Sequence, residues 1–327
     1  MKHQARGRRG QRPAARGQGG GVGSSLPTAS PTSSRQTLSF LRRRFEEAGI
    51  RPHTKFGQNF LIDLNLLDVL FQAAAVDGND VVLEVGTGTG ALTARLAQQA
   101  AAVVTVEVDP PMFQLASEEL HRFQNVVMLQ VDALRNKNQL NPVVLEAIRA
   151  QLEAAPGRRL KLVANLPYNI ATPILSNLLA QEPPFSMTAT IQKELAERIA
   201  ARPGSKDYGA LSIWIQAQCR VEILRVLPPE VFWPRPKVWS AFIQITLDEG
   251  LRKRIPERKF FHDFVRGMFC HRRKFLRSEL LSVVKGRLGK PEVDALFAQM
   301  NLPGTARAEQ LDVDTMLGLC EAVRRYT

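Results

Sequence analysis

The stretch Asn165-Leu166-Pro167-Tyr168-Asn169 is the starting point for interpreting the chain. It closes an apolar run, Leu160-Lys161-Leu162-Val163-Ala164, which predicts a short buried strand. The proline after Leu166 interrupts the strand pattern, so a turn is expected at the carboxyl end of this strand. Open α/β sheets bind their ligands at that edge. The position of the stretch therefore predicts a binding site in an α/β fold.

The side chains of this turn favour a flat base that carries an amino group. Asn165 offers an amide oxygen, and Leu166 offers a backbone carbonyl held in place by the rigid ring of the following proline. Tyr168 adds an aromatic face for stacking. The same residues also fit a structural Asn-Pro loop with a packed tyrosine, so the rest of the chain has to decide between these two interpretations.

A glycine-rich turn follows an earlier predicted strand, residues 81–85. The turn reads Gly86-Thr87-Gly88-Thr89-Gly90 and leads into a predicted helix. Glycines let a ligand lie directly on the backbone. The spacing is not the Gly-x-Gly-x-x-Gly of dinucleotide-binding folds, which disfavours a nicotinamide dehydrogenase, and no lysine follows as in a P-loop. It suits a ligand with a ribose and a positively charged amino acid tail; a tight strand–helix turn without a ligand is the alternative.

Acidic side chains lie at the ends of two further predicted strands. Glu107 lies near the end of the run 103–109, where a carboxylate can bind both hydroxyls of a ribose. Asp132 follows the run 126–131, where it can accept a hydrogen bond from an adenine amino group. Helical stretches separate the successive runs, which predicts a parallel sheet with right-handed crossovers. The polar groups at four strand ends would then share one edge.

Composition favours a nucleic-acid-binding globular protein. The chain has 327 residues, 44% of them hydrophobic, which is enough for about two domains. A net charge of +13 points to a polyanionic partner, either nucleic acid or an anionic membrane surface. No apolar run is long enough to predict a transmembrane helix. Cys219, Cys270 and Cys320 lack metal-ligand spacing, so no metal site is predicted and reduced, buried thiols are expected.

Three segments are expected from the composition. Residues 1–36 are rich in Arg, Gly and Ser and are expected to be disordered. This tail is interpreted as a nonspecific RNA-binding segment, an organelle transit peptide or an unselected linker. It has no hydrophobic face, so the transit peptide ranks below the RNA-binding tail and a cytoplasmic location is expected. Residues 37–248 are predicted to form an α/β catalytic domain, and residues 249–327 a smaller α-helical RNA-binding domain.

Eight segments form an ordered set of motifs: residues 56–61, 84–90, 107–109, 132–133, 165–170, 192–194, 203–209 and 232–238. In this order they resemble the ribosomal RNA adenine N6,N6-dimethyltransferases that modify small-subunit ribosomal RNA, relatives of the erythromycin-resistance methylases. The resemblance covers about residues 56–247. It implies a Rossmann-like S-adenosylmethionine methyltransferase sheet with a smaller C-terminal α-helical domain, and S-adenosylmethionine as the cofactor.

The resemblance also assigns roles to individual residues. The implied cofactor-binding residues are Asn59, Leu61, Gly86, Gly88, Glu107, Asp132 and Asn165. Tyr168 and Phe232 are expected to sandwich the target adenine. Asn165 and the carbonyl of Leu166 are expected to accept hydrogen bonds from its amino group, which makes these four residues the catalytic set. The chain departs from the family pattern at Thr87, where proline is common, and at Trp239, where aspartate is usual.

The expected substrate is small-subunit ribosomal RNA, as free RNA or in a pre-30S-type particle, bound by a monomer without a membrane partner. The expected reaction dimethylates two adjacent adenines in a hairpin near the 3′ end of that RNA. The basic residues expected to contact RNA are Arg202, Lys206, Lys237, Arg272, Arg273 and Lys274. Two alternatives stay open: a small-subunit assembly factor whose methylation is secondary, and a large-subunit methylase of the macrolide-resistance type. The C-terminal helical block and residues 192–194 favour the small-subunit branch over the large-subunit one.

Overall fold

The computed structural model describes residues 38–50, 57–271 and 273–326. The predictions for the tail, residues 1–36, and for Arg272 therefore lie outside the described residues. The described chain belongs to one compact unit, Gln36–Thr327.

Eleven strands occur in the described chain, and four of them match the apolar runs that the sequence predicted as strands. The strands are β1 Phe60–Leu61, β2 Asp80–Val85, β3 Ala102–Val106, β4 Val126–Leu129, β5 Leu134–Asn136, β6 Gln139–Leu140, β7 Arg159–Asn165, β8 Ser186–Gln192, β9 Cys219–Leu227, β10 Phe232–Trp233 and β11 Ser240–Leu247. The predicted strands are β2, β3, β4 and β7.

Thirteen α-helices connect and cover these strands within the described residues. They are α1 Leu38–Glu47, α2 Leu64–Ala74, α3 Ala91–Ala97, α4 Pro110–Leu120, α5 Pro142–Glu153, α6 Ala171–Gln181, α7 Lys193–Ile199, α8 Ala210–Gln216, α9 Glu249–Lys253, α10 Arg258–Met268, α11 Leu276–Val283, α12 Lys290–Gln299 and α13 Val313–Arg324. In the described part of the chain, none of the helices combines the length and the apolar character needed to cross a membrane. Asp63 caps α2 by accepting from the backbone N–H groups of Asn65 and Leu66.

Seven strands form one mixed sheet in the order β4-β3-β2-β7-β8-β11-β9. The five neighbouring strands β4, β3, β2, β7 and β8 of this sheet are parallel to one another, as predicted, because helices carry the chain back between them. The sheet ends in β11 and β9, an antiparallel pair that the sequence analysis did not place. The chain runs outward from β2 to β3 and β4, then crosses to β7 and β8 on the other side. The strand order therefore reverses between β2 and β7, and such a reversal opens a crevice at the carboxyl ends of the strands.

The sheet is covered on both faces, and its core continues into the C-terminal helices. Val82 and Val163 pack on one face with apolar residues of α2 and α3, and Leu83 and Leu162 pack on the other face. That second cluster runs without a break into the buried side chains of α10 to α13. The helical segment thus shares the core of the α/β part, and its treatment as a separate domain from residue 249 stays a prediction.

The cysteines agree with the sequence prediction only in part. Cys219 and Cys320 are buried, and burial raises the pKa of each thiol to about 12. Cys270 is exposed, contrary to the expectation of a buried thiol, because it follows the last turn of α10 at the surface. All three are free thiols.

A buried ion pair joins the amino ends of the two central strands. The carboxylate of Asp80 is fully buried; it lies 2.9 Å from Nζ of Lys161 and accepts from Nε of Arg159 at 2.6 Å. The ammonium of Lys161 also donates to the carbonyls of Ala74 and Ala75 at the end of α2. Polar partners surround both charges, which is what makes their burial in this position possible.

Replacement of Asp80 by alanine is expected to destabilise the fold strongly, because Lys161 would stay buried without its carboxylate. Urea denaturation of Asp80→Ala should show a free energy of unfolding lower by about 3–5 kcal/mol than that of the wild type. The control is Asp68→Ala, which removes the partner of Arg95 in a surface pair at 2.7 Å and should cost less than about 1 kcal/mol. Equal losses in the two variants would contradict the structural importance assigned to Asp80.

Candidate active site

A cavity lies at the crevice between β2 and β7, bordered by the glycine-rich turn and by segment 57–61. All seven sequence-predicted cofactor positions line it: Asn59, Leu61, Gly86, Gly88, Glu107, Asp132 and Asn165. Leu166 and Pro167 line it as well. The topology explains this convergence, since the contributing strand ends share one edge of the sheet.

Among the described residues, Asn165 uses the donor end of its side-chain amide but not the acceptor end. Its Nδ2 donates to the carbonyl of Asn59 at 2.8 Å, which fixes the amide orientation. Its Oδ1 is buried and has no hydrogen-bond partner in the described chain. A buried acceptor without a partner is costly, so native proteins rarely keep one unless a ligand or water satisfies it. Asn165 lines the cavity, and its free acceptor therefore indicates a ligand with an N–H or O–H group.

The turn after Asn165 is held on both sides. The backbone N–H of Leu166 donates to the carbonyl of Thr190 on β8 at 3.2 Å. The backbone N–H of Ile170 donates to the carbonyl of Pro167 at 3.1 Å and closes the turn. A methyl group placed on Gly86 would stand 3.3 Å from Cγ of Pro167. The glycine-rich turn and the proline turn therefore pack directly against each other, and a larger residue at position 86 would separate them.

The two aromatic residues predicted to stack on adenine do not line the cavity. Tyr168 Oη shares a hydrogen bond of 2.5 Å with Oγ of Ser240, and burial raises the pKa of its phenol, so it stays neutral at neutral pH. Phe232 is only 2% exposed and packs in the same apolar cluster as Leu61. The pairing of β10 with β1 holds it there, opposite Leu61. Their stacking roles stay predictions.

Glu107 connects the glycine-rich turn to the end of β3. One carboxylate oxygen accepts from the backbone of Gly88 at 3.1 Å, and the other accepts from Asp109 at 3.0 Å. Burial raises its pKa, and these two backbone hydrogen bonds oppose the rise. Each oxygen keeps a second lone pair, which is the arrangement needed to accept from neighbouring hydroxyls. On the other side of the cavity, Asp132 is exposed and accepts from the backbone of Leu134 at 2.9 Å.

The sequence analysis missed a buried carboxyl beneath the turn. Glu84 is 1% exposed and lines the cavity. One of its oxygens accepts from the hydroxyls of Thr93 and Thr105, at 2.5 Å and 2.8 Å. Burial raises its pKa to about 8, against the lowering effect of both threonines. The signal available in the sequence was an acid within an otherwise apolar strand, which is unusual for a strand covered on both faces.

The basic residues predicted to contact RNA are exposed where the structure describes them. Arg202 and Lys206 lie between α7 and α8, Lys237 lies between β10 and β11, and Arg273 and Lys274 lie between α10 and α11. Lys274 lies 3.9 Å from the buried carboxylate of Glu279. Exposure is what phosphate contacts require, and the RNA-binding roles stay predictions.

The residues of the cavity fit S-adenosylmethionine. The two oxygens of Glu107, each with a lone pair left over, suit a ribose diol. The two buried carboxyls, Glu84 and Glu107, suit a ligand with positive charge. Gly86 and Gly88 line the cavity and carry no side chains, so a ligand can lie directly against their backbone.

Comparison with known proteins agrees with the site. The profile of the family described as ribosomal RNA adenine dimethylase matches residues 49–321. The ribosomal RNA small subunit methyltransferase A of Caldanaerobacter subterraneus subsp. tengcongensis is 37% identical over 82% of this chain and 96% of its own length. The protein of the same name from Ligilactobacillus salivarius is 36% identical over 90% of this chain and 95% of its own.

Solved structures share the fold. A dimethyladenosine transferase from Plasmodium falciparum superposes with a TM-score of 0.67 at 23% identity, over 81% of this chain and 97% of that one. The 23S rRNA methyltransferase ErmE gives a TM-score of 0.55 at 22% identity, over 81% of this chain and 99% of that one. At these identities the likeness concerns the fold alone.

The fold, the cavity and the family match together define a Rossmann-like, S-adenosylmethionine-dependent methyltransferase. Within that class, the chain belongs to the ribosomal RNA adenine dimethylase family.

Gly86→Ala is expected to weaken S-adenosylmethionine binding by about tenfold or more, a change equivalent to about 1.4 kcal/mol. Gly86 has φ +87°, and its new methyl group would press on Pro167. The control is Gly157→Ala, because Gly157 has φ +79° but no atom within 4 Å of the place that a Cβ would take. Both variants carry backbone strain, so a difference in calorimetric affinity isolates the crowding. Unchanged binding in Gly86→Ala would contradict the assignment of this turn.

Glu84 is expected to make the stability of the ligand-free protein fall as pH rises. Its folded-state pKa of about 8 lies above the ordinary value of 4.5, so the folded state holds the proton more tightly than the unfolded state. Between these pH values the free energy of unfolding should fall by up to about 1.4 kcal/mol per pH unit. Urea unfolding across this range should show that Glu84→Gln reduces the slope, with Glu107 supplying the remainder, and that Glu146→Gln, at an exposed position of α5, retains it in full. The same slope in Glu84→Gln would contradict the assignment.

Proposed function

We propose that this protein transfers methyl groups to N6 of two adjacent adenines in a hairpin near the 3′ end of small-subunit ribosomal RNA, two methyl groups to each adenine. The observation that carries the proposal is the buried Oδ1 of Asn165, which lacks a partner in the described chain and lines the predicted cofactor cavity. The names of the two bacterial relatives, similar over nearly their whole length, support the small-subunit substrate.

The chemical problem is that the N6 lone pair of adenine is delocalised into its ring, so the amine is a poor nucleophile. When Asn165 Oδ1 and the Leu166 carbonyl accept from the two N6 hydrogens, the nitrogen gains sp3 character and its lone pair turns out of the ring plane. S-adenosylmethionine supplies an electrophilic methyl group on a sulfonium. Positioning and preorganised polar groups then provide most of the rate.

No strong general base is needed for this reaction, because the proton leaves after the methyl group has been transferred. The described lining of the cavity contains no histidine. The polar groups there are amides, hydroxyls and carboxyls. The NH2 group of Asn165 already donates to the carbonyl of Asn59. The site is therefore suited to orienting an amine and not to removing a proton from it in advance.

The adenine has to leave its own stack to reach this cavity, which costs a few kcal/mol. Tyr168 and Phe232 are proposed to repay part of that cost by stacking, worth about 1–3 kcal/mol for each base–aromatic contact. Phe232 would have to move from its buried position to do so, whereas Tyr168 is half-buried and anchored by Ser240. The enzyme is proposed to act as a cytoplasmic monomer on a pre-30S-type particle.

Asn165→Ala is expected to lower kcat by about 10²-fold to 10³-fold, the usual effect of losing one preorganised polar group in an active site. The assay is methyl incorporation into small ribosomal subunits that lack the modification, with the methylated adenines located by mass spectrometry. The matched control is Asn65→Ala, on the exposed face of α2, which should keep wild-type turnover. Wild-type turnover in Asn165→Ala would remove the catalytic assignment.

A growth comparison separates catalysis from an assembly role. Cells that carry Asn165→Ala and cells that lack the gene should show the same ribosome defect if methylation is the main function. A milder defect in the Asn165→Ala strain would show that the protein also acts by binding the particle.

A further inference from the structure

Trp239 is a large aromatic side chain exposed beside the candidate site. Its exposed fraction is 52%, and within the described chain its ring makes no contact with another ring or with a cation. The other two tryptophans differ: Trp214 is 2% exposed, and Trp233 lies half-buried with its ring centroid 5.3 Å from that of Phe45. A single exposed apolar residue is ordinary, so the argument rests on where Trp239 lies.

The backbone of Trp239 is fixed at the ligand-binding edge of the sheet. Its carbonyl accepts from the N–H of Lys193 at 2.9 Å, directly after β8 ends. The next residue, Ser240, pairs with Gln192 and begins β11. This edge is where β7 presents Asn165, since β7 and β8 run parallel.

Trp239 is also linked to the predicted base-binding residue. Ser240 holds the hydroxyl of Tyr168 at 2.5 Å. Ser240 is buried and bonded to Tyr168, whereas Trp239, the residue before it, is exposed to solvent. The exposed indole is thus one residue away from the anchor of Tyr168.

A cation accompanies the exposed ring. Lys237 is exposed two residues before Trp239, and it has no ion pair among the described residues. In the same loop Arg235 is paired with Glu230. An aromatic plane with an unpaired ammonium close by in the chain matches the two parts of an unstacked nucleotide, its base and its phosphate.

We propose that Trp239 and Lys237 form a subsite for one unpaired nucleotide of the RNA, next to the adenine that is methylated. Trp239 stacks on the base of that nucleotide, and Lys237 contacts its phosphate. The proposal rests on the proposed function, because it takes the substrate to be RNA that presents unstacked bases at this edge. It assigns to Trp239 a role in substrate binding and none in the methyl transfer itself.

Substitution of Trp239 tests the subsite by separating RNA binding from the other steps. Trp239→Ala should raise KM for unmodified small ribosomal subunits by about 5-fold to 150-fold, the range for one lost base–aromatic stack. Affinity for S-adenosylmethionine and kcat should stay within about 3-fold of wild type, since Trp239 does not line the cofactor cavity. Trp239→Phe should restore most of the affinity. The control is Tyr326→Ala, which removes an equally exposed ring, 53% exposed, at the end of α13.

Intrinsic fluorescence gives a readout that is independent of methylation. Only one of the three tryptophans is exposed, so a short single-stranded RNA should quench the emission of the wild-type protein much more than that of Trp239→Phe, which keeps the half-buried Trp233 next to Phe232. A base-paired RNA of the same composition should quench weakly, because its bases are already stacked. Equal quenching in the wild type and in Trp239→Phe, or a KM in Trp239→Ala equal to that in Tyr326→Ala, would overturn the proposal. Failure of the wild-type protein to methylate small subunits would instead refute the proposed function and leave the fluorescence result to decide the subsite.

Salt dependence tests the part assigned to Lys237. Lys237→Gln should reduce the slope of log affinity against log salt by about 0.7, the value for one phosphate contact on a single strand. Lys253→Gln, at an exposed position of α9 away from this loop, should leave the slope unchanged. An unchanged slope in Lys237→Gln would remove the phosphate contact from the subsite.

Discussion

The hydrogen bond from Nδ2 of Asn165 to the carbonyl of Asn59 is the interaction on which the site depends. An asparagine amide has an NH2 end that donates and an oxygen end that accepts, and anchoring the NH2 end on Asn59 fixes the orientation of the oxygen. The bond also brings segment 57–61 across the carboxyl ends of the strands, where it closes one side of the cavity. Without it the amide could turn over, and the buried oxygen, which lacks a hydrogen-bond partner among the described residues, would no longer keep its place.

Burial of acids gives the cavity its electrostatic character. Glu84 and Glu107 are both nearly inaccessible, and burial raises the pKa of each. The protein holds them with hydroxyl and backbone donors, and no cation is paired with either among the described residues. A positively charged ligand favours the ionised form of such carboxyls. The free energy of burying these acids is therefore partly recovered when a cationic cofactor binds. Glu84 lies two residues before the glycine-rich turn and Glu107 accepts from Gly88 within it, so ligand affinity depends on the position of that turn.

The sequence was sufficient for four of the five parallel strands, β2, β3, β4 and β7, and for the convergence of their carboxyl ends at one edge, but it did not show the fifth parallel strand, β8. Strands β2, β3 and β7 are buried on both faces, and their continuous apolar runs are visible in the sequence. The edge strand β4 is half-buried but still apolar throughout. The antiparallel strand β9 escaped notice because it lies at the other sheet edge and mixes buried with exposed residues. Glu84 and the Asp80–Lys161 pair also escaped notice, because their partners come from other strands and helices and no local pattern marks them.

The aromatic pair shows a different limit of prediction. The resemblance to a family assigns a role to Phe232, but its position in space depends on which strand β10 pairs with. That partner is β1, so Phe232 lies opposite Leu61 in the segment that also supplies the carbonyl for Asn165. One short segment therefore contacts the cofactor cavity, the amide predicted to hold the adenine and the strand that carries the predicted stacking ring. A shift of this segment on cofactor binding would move Phe232 and Asn165 together, which gives a physical reason for the cofactor to influence how the base is received.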